Sequence, residues 1–360
     1  MEKKVHSPLV SYLTRMLHSN GFALGVIVII LAIVIYNINS NFLSSGNLLG
    51  SIFVPMVVPG IMIAAVGPLL IGGSIDLSSA AQAAFASVIF AKLLEGNPGL
   101  PWQIAVVIVL LCGVGFGLIN IFLANVLNFM PFIATIGMSS VYLGVGQWWT
   151  LMNNVPVNND GFTRLGGISF FENAVPLLFI VMLVLIAGYT YMLSNTRFGR
   201  SVYMCGGNQN AARLAGMNPK KVRASLFINS GVICALAGIV WAAQLQMGHP
   251  QNLVTGSPNF VALTAVILGG TSFMGGTGGL VSGVIALFLL TVFDNGLTIL
   301  AQSNTVAGQP LYGTYVNATL QGLILIFALM LDYVSVTRKQ RALINAAMKN
   351  RDKKSATQEA

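Results

Sequence analysis

"ASLFINSGVICALAGIVWAAQLQMGHPQNLVTGSPNFVALTAVILGGTSFMGGTGGLVSGVIALFLLTVF", residues Ala224–Phe293, is a run of 70 positions without Asp, Glu, Lys or Arg. About a quarter of the residues of a soluble domain are ordinarily charged, so a water-facing fold does not produce such a run. Two more occur, 60 residues over Met16–Ile75 and 64 over Gly96–Asn159. Of the 360 residues, 55% are hydrophobic and 8% charged. A charge at mid-bilayer costs several kcal/mol, so a bilayer selects against the residues these runs lack. The fold class is an all-α polytopic membrane protein.

A net charge of +9 could point to nucleic acid, but the positions of the basic residues exclude that partner. Lys3, Lys4 and Arg15 lie at the start, six basic residues lie within Arg197–Arg223, and seven lie within Arg338–Lys354. These three blocks hold 16 of the 18 basic residues and flank apolar runs, as the positive-inside rule predicts for cytoplasmic segments. The N-terminus (1–20), a central loop (195–223) and a basic tail (337–360) are therefore expected in the cytoplasm, with the tail against anionic membrane lipids. A transmembrane domain fills 21–336. Its expected location is the inner membrane, multi-pass. Cys112, Cys205 and Cys234 have no ligand-like spacing and read as reduced structural thiols, with no metal site. No small-residue cleavage site follows Phe22–Ile38, which is expected as a retained first helix.

With about 20 apolar residues per crossing, ten elements emerge: Gly21–Asn39, Leu48–Leu70, Leu77–Leu94, Pro101–Val126, Phe132–Leu151, Val175–Leu193, Ala224–Met247, Phe260–Leu268, Leu280–Leu300 and Tyr315–Val334. Phe260–Leu268 is too short to cross alone. An even number agrees with both ends on one side. Met152–Ala174, Gly248–Asn259 and Gln302–Gly313 have turn composition and fall on the opposite side. Trp148, Trp149 and Trp102 suit an interfacial belt.

The two halves echo each other. "LLIGGSIDLSSA" (Leu69–Ala80) and "VILGGTSFMGGTGG" (Val266–Gly279) each place an apolar run before Gly-Gly and a hydroxyl, so Gly72-Gly73-Ser74 matches Gly269-Gly270-Thr271. Paired Gly-interrupted segments point to broken or re-entrant elements beside a translocation pathway. Close packing of helices on small residues is the competing account. Pathway candidates are Gly72, Gly73, Ser74, Asp76, Gly269, Gly270, Thr271, Gly275, Gly276 and Asn295.

One polar segment stands apart. In "CGGNQNAARLAGMNPKKVR" (Cys205–Arg223), Asn208 and Asn210 suit N-caps, Ala211, Ala212, Leu214 and Ala215 favour helix, Gly216 suits a left-handed C-cap, and Pro219 prevents resumption. "NTRFGRS" (Asn195–Ser201) before it reads as a tight basic turn. Topology alone needs only the charges. The double capping and the small apolar face of Ala211, Leu214 and Ala215 point to a docking element for a cytoplasmic partner.

"NTRFGRSVYMCGGNQNAARLAGMNPKKVR" resembles the large cytoplasmic loop of sugar-type ABC importer permeases, the ribose, xylose, arabinose and galactose family. "GGSIDLS", "PFIATIGM" (Pro131–Met138) and "AVILGGTSFMGGTGGLVSGVIAL" (Ala265–Leu287) resemble its other motifs in the same order, over roughly Asn41 to Asp332. The resemblance implies a permease subunit that moves a monosaccharide or similar small polar solute inward by alternating access. It implies a second permease subunit, identical or paralogous, and a periplasmic solute-binding protein. It also implies an ATP-binding-cassette ATPase carrying ATP-Mg, with no cofactor on this chain. The ATPase would dock on Asn208, Ala211, Ala212, Arg213, Leu214, Ala215 and Gly216. Two departures stand out. Asn259 and Phe260 lie where the family commonly has an acidic residue and Leu, and Ser74 and Ala80 replace glycines of the first motif.

Asp76 follows the first Gly-Gly at a helix start. It can cap that helix or serve as the coupling site of an ion-driven secondary transporter. Asp294 in "FDNGL" can lie at the water interface, or face the pathway beside Asn295 and serve as that coupling site in place of Asp76. His249 is a lone loop histidine. An enzyme is not supported. His6, His18 and His249 are not in H-E-x-x-H spacing, and G-x-S-x-G and G-x-x-x-x-G-K-[ST] are both missing. Any ATP hydrolysis belongs to another chain.

Overall fold

The computed structural model describes residues 20–170, 175–250, 258–303, 305–306, 309–310, 319–320, 322–330, 333–334 and 337. The N-terminal segment, nearly all of the basic tail, and residues 251–257 lie outside them. The helices are α1 (Asn20–Ile38), α2 (Ser45–Ile71), α3 (Ser79–Gly96), α4 (Trp102–Val126), α5 (Pro131–Thr150), α6 (Asp160–Gly167), α7 (Leu177–Asn195), α8 (Arg197–Gly207), α9 (Gln209–Leu214), α10 (Pro219–Leu245), α11 (Pro258–Leu268) and α12 (Leu280–Ser303). Nine of the ten expected elements are helices here, and helical residues between 319 and 334 fall in the tenth.

Among the described residues, six helices (α1, α2, α4, α7, α10 and α12) are long and apolar enough to cross a membrane. α3 and α5 have 18 and 20 residues but more polar sequences. α11, at 11 residues, spans about 16 Å, roughly half a hydrocarbon core. Short two-residue β pairings lie between the helices; one ties Val155–Pro156 to Met247–Gly248.

α2 and α10 form the centre. The apolar window of α2 is 89% buried against 17% for α1, which leans on α12 at the periphery. α10 packs on α2, α3 and α4. Its crossing with α4 is set by glycine. A Cβ on Gly113 would lie 2.6 Å from the Gly231 carbonyl oxygen, and one on Gly117 would lie 2.6 Å from that of Phe227. This small-residue approach stands in for the hydrophobic drive that lipid removes.

The Gly-Gly echo is atomic as well as sequential. Ser74 N–H donates to the Leu69 carbonyl and Gly73 N–H to that of Leu70, at 2.9 and 3.0 Å. Thr271 N–H donates to Val266 and Gly270 N–H to Ile267, at 3.1 and 2.8 Å. Gly73 and Gly270 have φ of 72° and 91°, the left-handed residue each motif requires. Both are Schellman stops. The first joins two oppositely running helices. Gly72 sits against Leu226 near the start of α10, while Gln244 near its end donates to the Val54 carbonyl at 3.1 Å. α3 then runs back beside α10, with Asp76 near Ser230 and Ser87 near Gly248.

Two expectations about the polar segment are corrected. "NTRFGRS" opens an 11-residue helix, α8, because the Thr196 hydroxyl caps it by accepting from Gly199 N–H at 3.1 Å. Pro219 does not block a helix; it begins α10, five residues ahead of Ala224. Asn218 accepts from Lys221 N–H at 3.1 Å, and a first-turn proline gives up no needed donor. The expected loop Met152–Ala174 also contains α6, capped by Asn159, whose Phe162 packs on Phe90 and Trp102.

Candidate functional site

The basic end of the bundle, which carries Arg197–Arg223, presents α9. Asn208 closes α8 and opens α9, its side chain accepting from Asn210 and Ala211 N–H at 3.0 Å each. Gly216 takes φ of 80°, with Met217 N–H on the Ala212 carbonyl at 3.0 Å. Leu214 is 91% exposed, and Ala211, Arg213, Ala215 and Gly216 are exposed around it. Ala212 departs from the expected docking set: at 1% exposure it faces inward and seats the helix. The outer face is one large apolar side chain among small and basic neighbours.

A second polar cluster lies within the bundle. Asp76 is 1% exposed. Its Oδ1 accepts from Ser78 N–H at 2.9 Å and from the Ser78 hydroxyl at 2.5 Å. Its Oδ2 accepts from Gln82 Nε2 at 3.2 Å, Asn120 Nδ2 at 3.4 Å and the Ser230 hydroxyl at 3.1 Å. The carboxylate therefore binds the start of α3 to α4 and α10. Leu77 N–H adds α5 through the Thr135 hydroxyl at 3.1 Å. Asn259 Nδ2 adds α11, donating to the Leu77 carbonyl at 3.4 Å, which a carboxylate there could not do. Asp76 does not cap α3 itself: Ser78 holds the N-cap position without a side-chain cap bond, and Asp76 takes the Ser78 N–H just ahead of the helix. Gln82, Asn120, Thr135 and Ser230 were missed by sequence reading. Part of their signal was available: Asn120 is an isolated polar residue inside an apolar helix, whereas Ser230 adjoins Asn229, and Gln82 and Thr135 lie on the more polar α3 and α5.

The expected pathway residues do not form one lining. Gly73, Gly275 and Gly276 meet at the basic end. Ser74 and Thr271 are buried behind the stops, at 4% and 0% exposure, and Thr271 Oγ1 accepts from Gly279 N–H. Asn295 lies apart, in a reciprocal amide pair with Asn47 at 3.0 and 3.1 Å that joins α12 to α2. Asp294 is half-buried beside it. No cluster of three His, Cys, Asp or Glu able to hold a metal occurs among the described residues.

Residues 51–329 match the family described as "Branched-chain amino acid transport system / permease component". The chain belongs to this family. It is thus a multi-pass membrane transport component and not an enzyme. Among curated relatives, it is 32% identical over 330 residues to the "Probable ABC transporter permease protein YphD" of Escherichia coli, covering 90% of this chain and 93% of that one. It is 30% identical over 345 residues to the E. coli "Galactose/methyl galactoside import permease protein MglC", covering 92% and 98%. To the E. coli "Ribose import permease protein RbsC" it is 29% identical over 315 residues, covering 85% and 92%. No solved structure matches the chain.

Proposed function

We propose that this permease is the membrane subunit of an ATP-driven importer for a monosaccharide or a similar small polar solute. The names of its relatives support the sugar class over the amino acids in the family's description. A separate ATPase, with ATP-Mg, docks on α9. A second permease subunit completes the pathway, and a periplasmic binding protein delivers the solute for alternating access. The membrane is the inner membrane, with both termini and α9 in the cytoplasm, in keeping with the distribution of basic residues.

The observation that carries the ATPase reading is Leu214, 91% exposed on a helix capped at both ends. A large apolar side chain held outward on a rigid polar element is suited to a partner's groove. The ion-coupled alternative has less support, because both Asp76 oxygens are already occupied by donors. The test is purification of the tagged chain from its native membrane in mild detergent, with mass spectrometry of what accompanies it. An ATPase is expected with the native chain and at least tenfold less with Leu214→Glu. Equal recovery with both chains would overturn the docking role of α9.

A further inference from the structure

The end of α8 touches both helix stops. A Cβ on Gly206 would overlap the Ile71 carbonyl and lie 2.8 Å from Gly276 N. Gly276, at φ of 78°, would bring a Cβ within 2.5 Å of Gly207 Cα. Gly276 N–H itself donates to the Ile71 carbonyl at 2.8 Å, across the two halves of the chain. The Tyr203 hydroxyl, one helical turn earlier on α8, donates to the Gly278 carbonyl at 2.9 Å. Burial pushes that phenol above its usual range, so it stays a donor. Only Asn208 separates this corner from α9.

We propose that the Gly206–Gly207 corner, with Tyr203, is the transmission point through which displacement of α9 reaches the end of α2 and the 269–279 link together. This rests on the reading of α9 as the ATPase dock. The contacts are backbone on backbone. A side chain in between could absorb a shift by changing rotamer, whereas packed backbone passes it on. The same corner explains why both stops come to one place: each delivers a bare main chain to α8. Tyr203 and Gly206 are positioning residues and need touch neither solute nor nucleotide.

The test uses the assembled complex and Mg-ATP with vanadate as the probe, so it does not depend on the identity of the solute. Met274, 66% exposed in the 269–279 link, becomes the reporter as Met274→Cys in a chain carrying Cys112→Ala, Cys205→Ala and Cys234→Ala. Its maleimide labelling rate should change when nucleotide is trapped. Tyr203→Phe keeps the ring and loses one hydrogen bond, and should shrink that change roughly two- to tenfold while ATP hydrolysis continues. Gly206→Ala should shrink it further. A full-sized change in Tyr203→Phe and Gly206→Ala complexes that retain the ATPase would overturn the transmission role alone. Absence of an ATPase from the native complex would instead overturn the docking reading beneath it.

Discussion

Replacing Asp76 separates a structural carboxylate from a coupling one. Asp76→Ala removes the acceptor of five hydrogen bonds. Gln82 and Asn120 still reach the Ser78 hydroxyl, at 2.7 and 3.1 Å, but Ser78 N–H is left with no acceptor at a buried position. With the vacated space and the Ser230 hydroxyl added, the cost is about 3–5 kcal/mol, as for other broken buried polar sites. Asp76→Asn is different. Its oxygen can serve Ser78, and its amide then faces Gln82 and Asn120. Gln82 Oε1 and Asn120 Oδ1 have no hydrogen-bond partner, so rotating both amides supplies two acceptors. The expected cost is about 1 kcal/mol. The assay is thermal unfolding in detergent, with uptake followed across neutral pH in the same preparations. The asparagine chain should melt slightly early and keep its uptake and pH profile, and the alanine chain should melt far lower. Equal destabilisation by both would mean that the charge itself is required. Normal melting of the asparagine chain with abolished or pH-shifted uptake would refute the structural role and restore ion coupling.

Two other sites give sharp contrasts. Gly113→Leu drives a side chain into the Gly231 backbone and should destabilise the α4–α10 crossing by at least 1–3 kcal/mol (~); Gly115→Ala, with nothing within 4 Å of its Cβ, should be neutral or gain about 0.5–1 kcal/mol, and comparative melting of the pair checks both. Asn208→Ala removes the cap shared by Asn210 and Ala211 and should cost α9 about 1 kcal/mol, read as weaker ATPase retention, while Asn208→Asp should restore it.

The fold was legible because a bilayer imposes one strong rule, and the charge-free runs obey it. The polar segment was legible at α9, where Asn208 and Gly216 are local signals that act through backbone geometry alone. It was misread at α8 and Pro219 for the same reason. Thr196 and Asn218 are equally good caps, but the basic residues of "NTRFGRS" suggested a turn and Pro219 suggested a stop. The Asp76 cluster was only half legible. Asp76 announces itself as an acid between apolar runs, whereas its partners Gln82, Asn120 and Ser230 are 6, 44 and 154 residues away. Sequence spacing says nothing about such approaches, which are set by how α3, α4 and α10 pack.

The paired glycines show why a local motif does not determine topology. Gly72-Gly73-Ser74 and Gly269-Gly270-Thr271 end their helices with the same two hydrogen bonds. What precedes and follows differs. α2 is 27 residues long and reaches its stop after a full crossing, whereas α11 has 11 and reaches its stop after about half of one. After the first stop, Asp76 and Ser78 anchor the chain within a few residues and α3 starts at once. After the second, Gly275, Gly276 and Gly278, all at positive φ, carry the chain past α8 before α12 begins. Both stops touch Gly206, but only the link with fewer side chains reaches on to Gly207, through Gly276. Glycine is therefore used twice for different physical reasons: to end a helix, where only φ matters, and to let three segments of backbone share one place, where the absent Cβ matters. Alanine at Gly270 would test the first use and alanine at Gly206 the second. Because a Cβ on Gly206 would also press on the Ile71 carbonyl at the end of α2, Tyr203→Phe is the variant expected to alter what α9 transmits while leaving that helix end in place.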